Sequence, residues 1–248
     1  MSGFFRVVAS ERLKIGRPPI WLLLSVSPLL ALLIGIFVNL DSPGVADGSE
    51  WGTLIVAMSM LHAVMLLPVL AGILAAWVCR YEHAGGGWKQ LLALPVTRAT
   101  VYAAKLTVVV GLIGICQLML LAAMWLVGLY KGISAPFPWS MVLTSLTGSW
   151  LACFPLAALQ LGASLAWSSF GIPLAINVSF TVPNLLILNS AKIAPFYPWA
   201  QPVLALVPDT LQSGGMLLPP MESLILTVTG SFIAFATAGL IYFVKKEI

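Results

Sequence analysis

The sequence predicts an all-α polytopic membrane protein with six transmembrane helices, and three observations carry that prediction. Of the 248 residues, 60% are hydrophobic and only 8% charged, against about 45–50% apolar and about 25% charged in a soluble domain. The apolar residues fall in runs close to or above the ~20 needed to cross the hydrocarbon core as a helix. The runs also lack the alternation of polar and apolar positions that a spanning β-barrel requires.

Residues 1–17 come first and predict a helix lying along the membrane surface. At helical spacing Phe4, Phe5, Val8 and Ile15 share one side, while Arg6, Ser10 and Lys14 stack on the other. Arg12 intrudes on the apolar side and has to snorkel to the headgroups. The six predicted spans are 18–40, 53–79, 100–130, 138–167, 171–189 and 223–244. Only Ser168, Ser169 and Phe170 part the fourth from the fifth, which predicts a tight helical hairpin. The loop 190–222 interleaves Ile193, Phe196, Tyr197, Trp199, Val203 and Leu206 with Pro195, Pro198, Pro202 and Pro208. Prolines at that density break a helix into short pieces, so short outer helices or a segment dipping into the outer leaflet are expected there, serving either as a lid over a substrate path or as an interfacial belt.

Charge sets the expected orientation. With the N-terminus inside, Arg6, Arg12, Lys14, Arg17, Arg80, Lys89, Arg98, Lys105, Lys245 and Lys246 lie on the inner side, and only Lys131 and Lys192 on the outer. That distribution obeys the positive-inside rule, with both termini cytoplasmic. The formal charge of +4 therefore points to lipid headgroups and not to nucleic acid. Cys79, Cys116 and Cys153 sit in or beside apolar runs and read as small buried hydrophobes, with neither a disulfide framework nor a metal site.

The segment 80–99, between the second and third spans, is the most informative stretch. Gly85, Gly86 and Gly87 let the chain turn sharply out of the membrane. Trp88 to Leu94 has the length of a two-turn helix, Pro95 ends it, and Thr97 is placed to cap the third span. With Glu82 before it and Arg98 after it, such a helix suits docking on another protein.

The order of an acidic residue (Glu82), a glycine turn, Trp88-Lys89-Gln90-Leu91-Leu92, Pro95-Val96-Thr97-Arg98 and Ala104-Lys105-Leu106 resembles the cytoplasmic coupling element of ABC-2 type ABC transporter permeases. Glu11-Arg12-Leu13-Lys14, then Ile20-Trp21 and a first span containing Pro28, is most similar to the lantibiotic-immunity permeases within that family. The glycine run is richer than in that pattern. The resemblance implies a bacterial plasma-membrane protein that pairs with a second permease, identical or a sister chain, on separate ABC ATPase subunits. Glu82, Trp88, Lys89, Leu91, Leu92, Pro95 and Arg98 would then couple to the ATPase. The chain holds no G-x-x-x-x-G-K-[ST] loop, so ATP and Mg are expected on the partner and no cofactor on this chain.

The implied cargo is an amphipathic peptide antibiotic of the lantibiotic type, expelled to protect the cell; another lipophilic drug or a lipid-linked substrate is the alternative. Asn177, Asn184 and Gln117 within spans, with Tyr197 and Trp199 in the outer loop, are the expected substrate path, set against plain interhelical hydrogen bonding. No charged residue is expected near the middle of a span, which disfavours an ion-coupled carrier. His62 and His83 stand too far apart to share a metal, and Ser, His and acidic groups are too scattered for a triad. A membrane scaffold and an intramembrane enzyme are the competing classes.

Overall fold

The structure, a computed structural model, describes residues 3–15, 18–40, 49–84, 86–206 and 220–247. Its elements are helical: α1 Gly3–Ile15, α2 Pro18–Phe37, α3 Glu50–Leu61 running through a π turn at His62–Leu66 into α4 Leu67–His83, α5 Gly87–Leu92 and α6 Arg98–Lys131. There follow α7 Trp139–Ala152, α8 Phe154–Ala166, α9 Gly171–Thr181, α10 Asn184–Ile187, a 3₁₀ turn at Ala194–Phe196, α11 Gln201–Leu206 and α12 Met221–Lys245. Among the described residues five stretches are long and apolar enough to cross a membrane: Ile20–Phe37, Glu50–His83, Arg98–Lys131, Trp139–Ala166 and Met221–Lys245.

The predicted fifth span, 171–189, differs. Its apolar helix, Gly171–Ile187, rises about 25 Å at 1.5 Å per residue, short of the ~30 Å core. Pro183 is the cause, because its missing N–H and fixed φ end α9 at Thr181 before α10 restarts at Asn184. The chain then stays inside the protein: Val203, Leu204 and Leu206 are buried beside Trp51, Leu54 and Val127, and Trp199 in the core around Leu24, Leu74 and Ile113. Short outer helices are thus present, packed as core. The rest of that loop, 207–219, lies outside the described residues, as do Asp41, Asp47 and Asp209.

Two prolines inside spans leave carbonyls without their helical donors, and side chains from other helices replace them. Pro28 cannot donate to Leu24, whose carbonyl instead faces the Cys116 thiol at 3.5 Å. Pro68 cannot donate to Val64, and Asn184 Nδ2 donates to that carbonyl at 2.9 Å. The π turn just before Pro68 belongs to the same local adjustment.

Helix α8 lies against α12 where both present glycine. A Cβ on Gly162 would sit 3.5 Å from Gly239 Cα, and one on Gly239 only 2.7 Å from Tyr102 Oη. Small residues at such crossings let backbones approach, which replaces the hydrophobic drive that lipid cannot supply. Cores of buried residues lie around Trp51, Leu54 and Val203, around Leu24, Leu74 and Ile113, and around Trp88, Tyr102 and Phe243.

Helix α1 buries one face within the protein. Val7 and Glu11 are buried, with Lys14 half-buried beside them, while Phe5 and Leu13 are exposed. Glu11, which the sequence reading did not place inside the protein, enters it and draws Lys14 with it.

Candidate functional site

The site is built where α1, α4, α5, α6, α8 and α12 come together at one end of the bundle. Helix α4 ends at His83, and the chain reverses through Gly86 in the left-handed region, φ 74°. Gly87 is needed for a second reason: a Cβ there would stand 2.9 Å from Glu82 Cα. Helix α5 follows over Gly87–Leu92, shorter than the expected 88–94 because Ala93 caps it two residues before Pro95. Thr97 then caps α6, its Oγ1 accepting from Thr100 N at 3.1 Å.

Beneath α5 lies a closed ring of four charged side chains. Lys105 Nζ donates to Glu11 Oε2 at 2.9 Å, to Glu82 Oε2 at 2.8 Å and to the Val78 carbonyl at 2.7 Å. Lys14 Nζ donates to Glu11 Oε1 at 2.6 Å and to Glu82 Oε1. All three ammonium donors of Lys105 are used, each carboxylate accepts from both lysines, and the ring sums to zero charge. Lys105 is fully buried and the two glutamates nearly so. Burial acts to lower the Lys14 pKa, but hydrogen bonds and charge from Glu11 and Glu82 outweigh it and hold the pKa above the ordinary 10.5.

Trp88 roots α5 in this end. Its indole N–H donates to His83 Nδ1 at 3.2 Å, and His83 Nε2–H donates to the Ser164 carbonyl at 2.8 Å, which together define the neutral tautomer. The ring packs against Phe243, centroids 5.2 Å apart, and Lys105 Nζ lies 5.5 Å above it. With 8% of its surface accessible, Trp88 faces the protein itself. Lys89, Gln90 and Leu94 are exposed, and Leu91 and Leu92 are half-buried.

The remaining predicted residues fall into two groups. Arg98 does not reach Glu82; its guanidinium donates to the carbonyls of Phe243, at 3.0 Å, Val244 and Lys246, closing the C-terminus of α12. Lys246 does the same for α8, donating to Leu165 O at 2.7 Å. Pro95 is exposed in the turn before α6.

Asn177, Asn184, Gln117, Tyr197 and Trp199 lie away from this end and are engaged within the fold. Asn177 Nδ2 donates to Pro68 O at 2.9 Å while its Oδ1 accepts from Trp199 Nε1 at 2.7 Å. Asn184 Nδ2 also donates to Trp199 O at 3.0 Å, and Tyr197 Oη donates to Phe180 O. Gln117 Oε1 accepts from His62 at 3.2 Å, with Ser27 donating to the other ring nitrogen at 2.7 Å and Gln117 Nε2 donating to Ser149 at 3.2 Å. These bonds join α2, the π turn, α4, α6, α7, α9 and the outer segment.

Sequence reasoning missed the role of Lys105, taken there as one more cation of the inner rim. The signal was available: a lysine well inside an apolar helix has to find an acid, and Glu82 lies near the end of the preceding span.

Long apolar helices, a short helix held across one end and cations closing the helix termini there define a polytopic all-α membrane protein. The chain belongs to the ABC-2 family of transporter proteins, whose family model matches residues 7–184, and is thus a membrane subunit of an ABC transporter. That match contains most of α1, the whole ion ring and α5. No curated protein matches the sequence.

Proposed function

We propose that this subunit expels an amphipathic, cationic peptide of the lantibiotic type from the bacterial plasma membrane, driven by ATPase subunits docked on α5. The observation that carries the docking half is the division of α5 into two faces. Trp88 is buried against His83, Phe243 and Lys105, while Lys89 and Gln90, with Leu94 just beyond the helix, stay open to a partner. Force applied to the open face reaches α1, α4 and α6 through Trp88 and the ring beneath it, so the helices move together. Binding sits on the outer face; Trp88 is the root that transmits it.

The cargo half rests on the resemblance of Glu11-Arg12-Leu13-Lys14 and Ile20-Trp21 to lantibiotic-immunity permeases. It is supported by helices whose outward residues, such as Leu29, Leu126 and Phe180, are apolar and open to lateral entry from lipid. Co-expression with a candidate ABC ATPase subunit tests the docking half, and deletion of the permease tests the cargo half. Lys89→Glu with Leu94→Asp should abolish co-purification while the permease still inserts. Cells lacking the permease should become sensitive to a lantibiotic-type peptide and keep their tolerance of small hydrophilic drugs. Unchanged co-purification refutes the docking face, and unchanged peptide sensitivity refutes the cargo.

A further inference from the structure

Five cations at the α1 end have partners within the fold, while Arg6, Arg12, Lys89 and Lys245 have none among the described residues. Lys14 and Lys105 sit in the ring, Arg98 and Lys246 close helices, and Arg80 lies over the rings of Trp77 and Phe170, at 5.7 and 5.8 Å. Arg12 is set apart from the other three unpartnered cations by what lies beside it: its neighbour Leu13 is 83% exposed and α1 lies against apolar surface. A groove of about 710 Å³ opens beside it between α1, the first turn of α2 and α6. That volume is within the roughly 300–1,000 Å³ of small-molecule sites.

The groove is graded along its length. Arg12 and Trp21, whose indole N–H also lacks an acceptor among the described residues, stand at the α1 end; Thr107, Gly111 and Ile115 carry the wall along α6. Thr107 uses its hydroxyl on the Ala103 carbonyl at 2.8 Å, so the wall offers an occupant little but apolar surface. From Thr107 to Ile115 the helix rises about 12 Å, most of one leaflet of a core about 30 Å thick. Gly111 leaves the middle open, since nothing lies within 4 Å of a Cβ built there.

We infer that this groove holds one anionic phospholipid of the leaflet on the α1 side, its phosphate on Arg12 and Trp21 and an acyl chain along Thr107, Gly111 and Ile115. The charge excludes the cationic peptide proposed as cargo, which Arg12 would repel. The length excludes a small soluble anion, which would leave the apolar wall bare. The bound lipid would fix α1 on α6 from the outer side, as the ion ring fixes it from the inner. This inference needs only that the chain spans a membrane, so it stands or falls apart from the docking and cargo readings.

The test is native mass spectrometry of the purified permease after exchange into equal amounts of phosphatidylglycerol and phosphatidylcholine with identical chains. The wild type should retain phosphatidylglycerol over phosphatidylcholine by about five-fold, the factor expected for one basic residue at an anionic surface. Arg12→Gln should bring the ratio to about one, whereas Arg6→Gln, on an exposed part of α1, should leave it unchanged. Gly111→Phe grows into open space and should remove the bound lipid of both kinds with the protein still folded and its oligomeric state unchanged. Equal retention of both lipids by the wild type, or an unchanged ratio in Arg12→Gln, overturns the proposal. So does a Gly111→Phe variant that changes oligomeric state while keeping its lipid, which would make the groove an interface between two copies.

Discussion

Lys105 shows how one residue can hold three helices. Its ammonium is buried, uses every donor and neutralises two carboxylates that belong to α1 and α4. Removing one partner of a buried ion pair leaves charge without compensation, typically about 3–5 kcal/mol. Lys105→Met should therefore lower the melting temperature of the detergent-solubilised protein sharply. Adding Glu11→Gln should recover part of the loss, a non-additivity that a double-mutant cycle measures directly; strict additivity would show the ring is not one unit. Lys14 gives the pH dependence. Its pKa is raised on folding, so its contribution is complete below the ordinary 10.5 and is lost as pH rises through the raised value. Cleavage of α1 by added protease should accordingly not respond to Lys14 titration between pH 6 and 9, and Lys14→Met should remove the step seen above about pH 10.5.

At the scale of elements, a second prediction concerns the α8–α12 crossing. Gly239→Leu would drive a side chain into Tyr102, whose hydroxyl would stand 2.7 Å from the first added carbon. Overpacking of this kind costs about 1–3 kcal/mol or more. The variant should release the end of α12 and its Arg98 contacts, seen as new accessibility of a cysteine at Val244, whereas Gly230→Ala, with open space at its Cβ, should be silent. The elements themselves were legible in sequence where local chemistry decides them. Apolar runs marked the spans, the glycine run marked the turn before α5, and Thr97 marked the start of α6. What the sequence could not show was partnership at long range. Asn184 reads as a polar residue in lipid until the structure brings it to the carbonyl that Pro68 left vacant. Trp88 reads as an aromatic anchor for a partner until Phe243, at the far end of the chain, covers it. The break at Pro183 was visible as a residue but masked by the apolar run around it, because hydropathy carries no information on where a helix stops.

At the scale of the whole molecule, side-chain bonds divide the bundle into two ends without reference to any membrane. One end gathers α1, α5, the start of α6 and the finish of α8 and α12, tied by the ion ring, by His83 on Ser164, by Arg98 on Phe243 and by Lys246 on Leu165. The other gathers the finish of α2 and α6 with the starts of α3 and α7, tied by Lys131 on Val38 at 2.8 Å and by Trp51 on Ala135 at 2.9 Å. Among the described residues, Arg6, Arg12, Lys14, Arg80, Lys89, Arg98, Lys105, Lys245 and Lys246 lie toward the first end, against Lys131 and Lys192 toward the second. By the positive-inside rule we propose that the first end faces the cytoplasm. The three native cysteines are buried, so single cysteines can be read against a quiet background. An impermeant thiol reagent added to intact cells should label Ser134→Cys, in the exposed turn between α6 and α7, and spare Ser10→Cys and Ser169→Cys, exposed at the α1 end. Opening the cells should reverse the protection. Because Ser10 lies on α1 and Ser169 between α8 and α9, the two must behave alike if the ends are assigned correctly. Labelling of Ser169→Cys from outside with Ser10→Cys protected would break the bundle's division into two ends, and labelling of both would invert the orientation and remove α5 from the reach of any cytoplasmic ATPase.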